Sequence, residues 1–199
     1  MVVWVPLYWK ENGWTNFLWL CDFANFVLCL GLWFECAILV SSQLVGIAFV
    51  HFVWAVDFFG RLLFGFHPVG GTEYMFDPAL PLWLRALSLF HLWTVPLLVW
   101  AMTRLGHDRR GWKLQAFFVF VLLPLGQQLG TREQNLNWMW EPFWVPQVWL
   151  PPLLFAWVGA AVFVLLVLWP SELLVRRWLE PWLAGRKKKR SAGEPALVS

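Results

Sequence analysis

Long apolar runs, separated by short links rich in glycine, proline or charge, recur along the chain. Five of them can cross the ~30 Å hydrocarbon core of a bilayer at ~1.5 Å per helical residue. They cover residues 14–33 (A), 35–59 (B), 80–102 (C), 112–129 (D) and 146–169 (E). A and B are nearly continuous, so a very tight turn must join them. Pro96 and Pro124 fall inside C and D and predict kinks, with neighbouring groups satisfying the freed carbonyls. Beyond E, residues 171–183 set Leu173, Leu174, Trp178 and Trp182 beside Arg176 and Arg177, the pattern of a helix lying in the membrane interface. The predicted fold class is all-α: a polytopic membrane helix bundle with about five transmembrane helices and a C-terminal amphipathic interfacial helix. Residues 1–13 are read as an N-terminal exoplasmic segment, 14–169 as the bundle, 170–184 as the interfacial helix and 185–199 as a basic, disordered cytoplasmic tail. No internal repeat is visible, and the first nine residues lack the features of a removable signal peptide.

Charge sets the expected orientation. Arg104, Arg109, Arg110 and Lys113 lie around the C–D link, and the tail adds Arg176, Arg177 and an unbroken basic run from Arg186 to Arg190. The other links hold only Lys10, Arg61, Arg85 and Arg132. The positive-inside rule then places the C–D link and the C-terminus in the cytoplasm and the N-terminus outside. The expected location is a multi-pass membrane, the cytoplasmic membrane in a bacterial host. The basic run reads as a topology anchor that touches anionic lipid. No nucleic-acid partner is expected.

With that orientation, the polar residues inside the spans fall at one level. Cys21 and Asp22 sit ~10 Å below the outer end of A, His51 ~12 Å below that of B and His91 ~16 Å below that of C. Gln127 and Gln128 mark the outer end of D, and Asn137 lies in the D–E link. On A, Cys21, Asp22 and Asn25 share a stripe at i,i+3 and i,i+4 spacing; on C, Ser88, His91 and Thr94 share a face. Polar groups are costly in lipid and face a bundle interior or wet cavity. A shared pocket opening outward is the economical reading. Asp57 and Arg61, at i,i+4, are read as a structural pair, and Asp22 as paired with Arg85 or Arg132 or held neutral by hydrogen bonds.

Composition supports the membrane reading: 60% of residues are hydrophobic and the mean hydropathy is +0.59, above an ordinary soluble domain. Three cysteines, all in or beside spans, are too few for a disulfide framework. Many of the 18 tryptophans, including Trp14, Trp33, Trp83, Trp112, Trp144 and Trp169, fall at span ends, as interfacial residues do.

Three short motifs carry a resemblance. Leu18-Trp19-Leu20-Cys21-Asp22, then His91 within "LSLFHLW", then Asn137-Trp138-Met139 within "NLNWMWEP" follow in an order and spacing similar to those of the YwaF-like bacterial integral-membrane family, across residues 17–169. Its relatives include a eukaryotic transmembrane acyltransferase and the androgen-induced-type membrane hydrolases of fatty-acid esters. The family commonly has six spans, one more than is drawn here, and the link 60–79 matches nothing in it. The resemblance implies Cys21 as nucleophile and His91 as base in a lipid acyl-ester hydrolase or acyltransferase. Asp22, Asn25, Ser88, Gln127, Gln128 and Asn137 are the supporting pocket residues, with the amides of Asn25, Gln127 and Gln128 available to polarise an ester carbonyl. Membrane lipids are then the partners, and no cofactor or metal is called for.

Two other classes compete. His51 and His91 at one depth are alternative ligands for haem or chlorophyll. A small aromatic-rich bundle can also be a structural subunit that packs against other membrane subunits and does no chemistry.

Overall fold

A computed structural model of the chain describes residues 1–191, with side chains through Arg186. Nine helices and several single turns follow in order: α1 (Trp4–Asn12), α2 (Leu20–Trp33), α3 (Ala37–Phe64), α4 (Leu82–Leu87), α5 (Phe90–Leu105), α6 (Gly111–Leu129), α7 (Pro152–Phe163), α8 (Trp169–Leu174) and α9 (Glu180–Ser191). No strand occurs among the described residues. α3 is the hub, with α2, α5 and α6 packed around it and α7 packed on α6.

Three helical stretches are long and apolar enough to cross a membrane: Ala37–Phe64, Leu82–Leu105 and Pro152–Arg186. α2 is apolar but runs only 14 residues, and α6 runs 19. Solvent-facing positions carry large apolar side chains such as Phe52, Leu63, Leu166 and Trp178. Asp22, Gln43, His51, Asp57, His91, Gln115 and Glu172 are buried instead. That inversion of the soluble pattern suits a lipid surround.

The A–B turn is as tight as the apolar pattern requires. Glu35 takes a left-handed conformation (φ 48°), and Cys36 N–H donates to the Gly31 carbonyl at 2.8 Å. Gly31 admits the next helix closely, since a Cβ there would lie 3.1 Å from Val40. At the same end, Gln43 Nε2 donates to Gln115 Oε1 at 2.9 Å and fastens α3 to α6.

Two helical boundaries differ from the sequence expectation. Span A is not one helix. The chain turns at Trp19 (ψ 133°), so α1 and a short turn at Trp14–Leu18 precede α2. The expected separate C-terminal helix is instead a continuation of α7. Wider turns at Val164–Leu168 and Val175–Leu179 join α7, α8 and α9 into one rod. At 35 residues it extends ~50 Å, well past one hydrocarbon core. The rod continues because its polar residues find protein partners: Glu172 is buried against His107 and Arg176. Leu183 packs with Leu98, Ala101 and Met102 of α5. Beyond Ser191, the tail expected over 185–199 lies outside the described residues.

Candidate active-site cavity

Where α2 begins decides what Cys21 and Asp22 face. The break at Leu18–Leu20 leaves backbone groups without helical partners, and Asn137 supplies both. Its Oδ1 accepts from Leu20 N–H and its Nδ2 donates to the Leu18 carbonyl, each at 2.9 Å. Cys21 and Asp22 therefore occupy the first turn of α2 rather than lying two turns deep in a continuous helix. Asn16 Nδ2 donates to Asp22 Oδ2 at 2.8 Å. Neither Arg85 nor Arg132 takes the ion-pair role expected of it: Arg85 binds the Met75 carbonyl and Arg132 sits beside Glu141.

His91 is set by the junction of α4 and α5. The helix tightens at Ser88 and Leu89, and His91 Nδ1–H donates to the Ser88 carbonyl at 2.7 Å. That bond fixes the tautomer, so a neutral ring carries its lone pair on Nε2. The imidazole stacks on Trp54 (4.6 Å between ring centres, 8° between planes) and on Phe90 (4.1 Å, 25°). The Ser88 hydroxyl is bonded to Tyr8 Oη at 2.7 Å.

These side chains border one cavity of about 560 Å³. Cys21, Asp22, Ser88 and His91 line it together, with Tyr8, Asn16, Tyr74 and Arg85. Its size lies in the range of roughly 300–1,000 Å³ that encloses a small ligand. Cys21 and His91 both border this space, with no hydrogen bond between them among the described residues. Trp54 Nε1 donates to Tyr74 Oη at 3.1 Å, and the Ser88 hydroxyl lies beside the same oxygen. Burial pushes the Tyr74 hydroxyl above its ordinary range, so it stays a donor.

Two loops roof the cavity, and each is organised by one polar side chain. Asp57, at the end of α3, gathers the loop after it: Val69 N–H, Gly70 N–H, Thr72 N–H and the Thr72 hydroxyl all donate to its carboxylate. His67 Nδ1 lies 3.0 Å from the same group. The expected Asp57–Arg61 pair is thus not made; Arg61 turns to the Gly65 carbonyl. In the second loop, Asn135 Oδ1 accepts from Trp140 and Glu141 N–H. Asn135, Asn137, Trp138, Phe143 and Trp144 all have positive φ, between 42° and 66°. Non-glycine residues in that region store strain, and such clusters mark binding and catalytic sites.

Other candidates fall elsewhere. Asn25 folds back on the Cys21 carbonyl (3.2 Å) and borders a separate cavity beside Cys29 and Leu28. Gln128 Nε2 donates to Gln127 Oε1, and neither borders the main cavity. The amides of Asn25, Gln127 and Gln128 therefore do not supply the carbonyl-polarising donors expected of them. Asn137 acts on backbone. His51 is 1% exposed and lies against His91, with ring centres 4.6 Å apart and neither of its nitrogens hydrogen-bonded. Two imidazoles on opposite faces of one metal need ring centres ~6 Å apart or more, given metal–nitrogen bonds of ~2 Å. The pair does not have the spacing of axial haem ligands.

Tyr8, Asn16, Tyr74 and Arg85 were not foreseen at the site. One signal was available: the chain has 18 Phe and 18 Trp but only two Tyr, and both line this cavity. Comparison with known protein families, curated proteins and solved structures finds no match for this chain.

Proposed function

We propose that this chain is a polytopic membrane protein that carries out acyl transfer on lipid esters in the cavity, with Cys21 as nucleophile and His91 as base. One observation carries the reading: a cysteine from α2 and an imidazole from α5, its tautomer fixed so that Nε2 is the acceptor, border the same cavity. The motif resemblance to the YwaF-like family points to the same two residues. α2 and α6 complete a five-span bundle with the three longer stretches, and the positive-inside rule turns the cavity toward the exoplasmic leaflet, near the ester level of a glycerolipid.

The chemistry follows from the groups in place. His91 Nε2 takes the Cys21 proton, and the thiolate attacks the ester carbonyl carbon. Tyr74 O–H is positioned on the cavity wall to donate to the developing oxyanion. The intermediate collapses with cleavage of the carbon–oxygen bond, and His91 returns the proton to the departing alkoxide. A thioester remains on Cys21. Water, or the hydroxyl of a lysolipid, then gives its proton to His91 and attacks the thioester, releasing the acyl group as acid or as a new ester.

Purified protein in detergent, offered a fluorogenic short-chain ester and a lysolipid acceptor, tests this. Turnover that disappears in both Cys21→Ala and His91→Ala is the expected result. Turnover unchanged in either variant overturns it, and an inert protein that copurifies with other membrane subunits would instead be a structural component.

A further inference from the structure

Among the described residues Arg85 is the one Lys or Arg bordering the cavity, and its guanidinium is only half used. Nη1 donates to the Met75 carbonyl at 2.9 Å. Nε is buried with no acceptor, and Arg85 makes no ion pair among the described residues. Nε and Nη2 form the edge of the fork that binds two oxygens of one anion side by side. A buried cationic donor without a partner is costly, so an occupant that supplies paired oxygens is strongly favoured.

Asp22, Glu73 and Glu133 border the same space without reaching Arg85. The two exposed glutamates on this wall disfavour an occupant with net negative charge. They favour one whose anionic group is accompanied by a cation. Trp138, Trp144 and Tyr74 offer aromatic faces that also attract an ammonium group.

We propose that Arg85 reads the phosphodiester of the lipid in this cavity, and that the lipid is a glycerophospholipid with a zwitterionic headgroup. This rests on the acyl-transfer reading above, since it names the substrate class of that site. Met75 fixes one side of the guanidinium, the phosphate takes the other, and the ammonium lies against the aromatic and acidic wall.

Calorimetric binding to the full-length chain in detergent tests the proposal, with Cys21→Ala present throughout so that no turnover intervenes. The probes are dihexanoylphosphatidylcholine, dihexanoylphosphatidylglycerol, phosphate-free dihexanoylglycerol and inorganic phosphate. Arg85→Gln is expected to weaken phosphatidylcholine binding at least about tenfold, from loss of a charge-assisted bidentate contact. Dihexanoylglycerol should change less than about twofold, which also shows that the variant is folded. Arg85→Lys keeps the charge without the fork and should fall between, and phosphatidylglycerol should bind more weakly than phosphatidylcholine. Phosphatidylcholine binding insensitive to Arg85→Gln overturns the proposal. So does an equal loss for dihexanoylglycerol, tighter binding of phosphatidylglycerol, or inorganic phosphate binding as tightly as the lipid. Arg85-dependent lipid binding without ester turnover in the wild type would sink the acyl-transfer reading and leave this one standing. Turnover of phosphate-free esters with Arg85-independent binding would do the reverse.

Discussion

At the end of the bundle that carries the 106–110 turn, polar side chains of the turn meet those of the C-terminal rod. His107 is 1% exposed and lies between two carboxylates of the C-terminal rod, 2.6 Å from Glu180 and 3.2 Å from Glu172. Arg176 donates to Glu172 at 2.7 Å, and Arg109 grips Glu180 with Nε and Nη2 at 3.0 and 2.8 Å. There His107 Nε2 and Glu172 Oε2 approach each other without a hydrogen bond. At the other end Asp57 is fully bonded, while Arg85 Nε and both nitrogens of His51 have no nearby partner, and His91 borders a cavity. Matched charge at one end serves to fasten helices. Unmatched polarity around a cavity serves to hold something else. The comparison separates a structural network from a binding site without any appeal to residue type.

It can be broken most forcefully at the cavity. Cys21→Ala should lower ester turnover by ~10³-fold or more, and His91→Ala by ~10²–10⁴-fold, the range for removal of a general base. Cys21→Ala should move the thermal midpoint by no more than a few degrees, whereas His91→Ala also empties a stacked, buried position, so turnover is compared per folded molecule. At the matched end the signs reverse. Glu172→Ala removes the carboxylate that accepts from Arg176 and faces His107, and should cost ~1–3 kcal/mol of stability in a denaturant titration, with turnover per folded molecule unchanged. Asn137→Ala sharpens the boundary between the two behaviours. It orphans Leu20 N–H and the Leu18 carbonyl, at ~1–3 kcal/mol each. Because it also frees the start of α2, Cys21 acylation should slow even in the folded fraction.

The smallest effect belongs to Asp108, in the turn between α5 and α6. Its bond to Arg110 holds its carboxyl below the usual carboxylate range. A depressed folded value stabilises above the unfolded pKa of ~4, and the contribution is lost as pH falls through the lower folded value. Asp108→Asn should therefore cost under ~1 kcal/mol at neutral pH, since solvent screens the pair, and the difference from wild type should vanish in acid.

Much of this was legible in the apolar pattern. Run lengths gave the long helices and the tight turn at 34–36. Cys21, Asp22, Ser88 and His91 do border one space, but the depth expected for Cys21 and Asp22 rested on a continuous span A, which the break at Trp19 replaces. What escaped depended on distant partners. The break before α2 is satisfied by Asn137, 117 residues away along the chain. The rod from Pro152 continues past its expected end because Glu172 and Glu180 meet His107 and Arg109 on another turn, where an isolated amphipathic segment would meet interface water. Asp57 and Arg61 have pairing distance on a helix, yet backbone N–H groups of the following loop claim the carboxylate first. Tyr8 and Asn16 were hidden in a stretch with no clear period.

The central claim is that the cavity joins the Cys21 thiol to the His91 base, and the three cysteines provide their own control. Cys21 borders the main cavity, Cys29 is exposed beside the second, and Cys36 lies in the turn before α3. Intact-protein and peptide mass spectrometry after brief exposure to a short-chain thiol-reactive ester measures which one is acylated. The account predicts a single adduct on Cys21 that forms far more slowly in His91→Ala. Equal acylation of Cys29 or Cys36, or Cys21 acylation indifferent to His91, would contradict it.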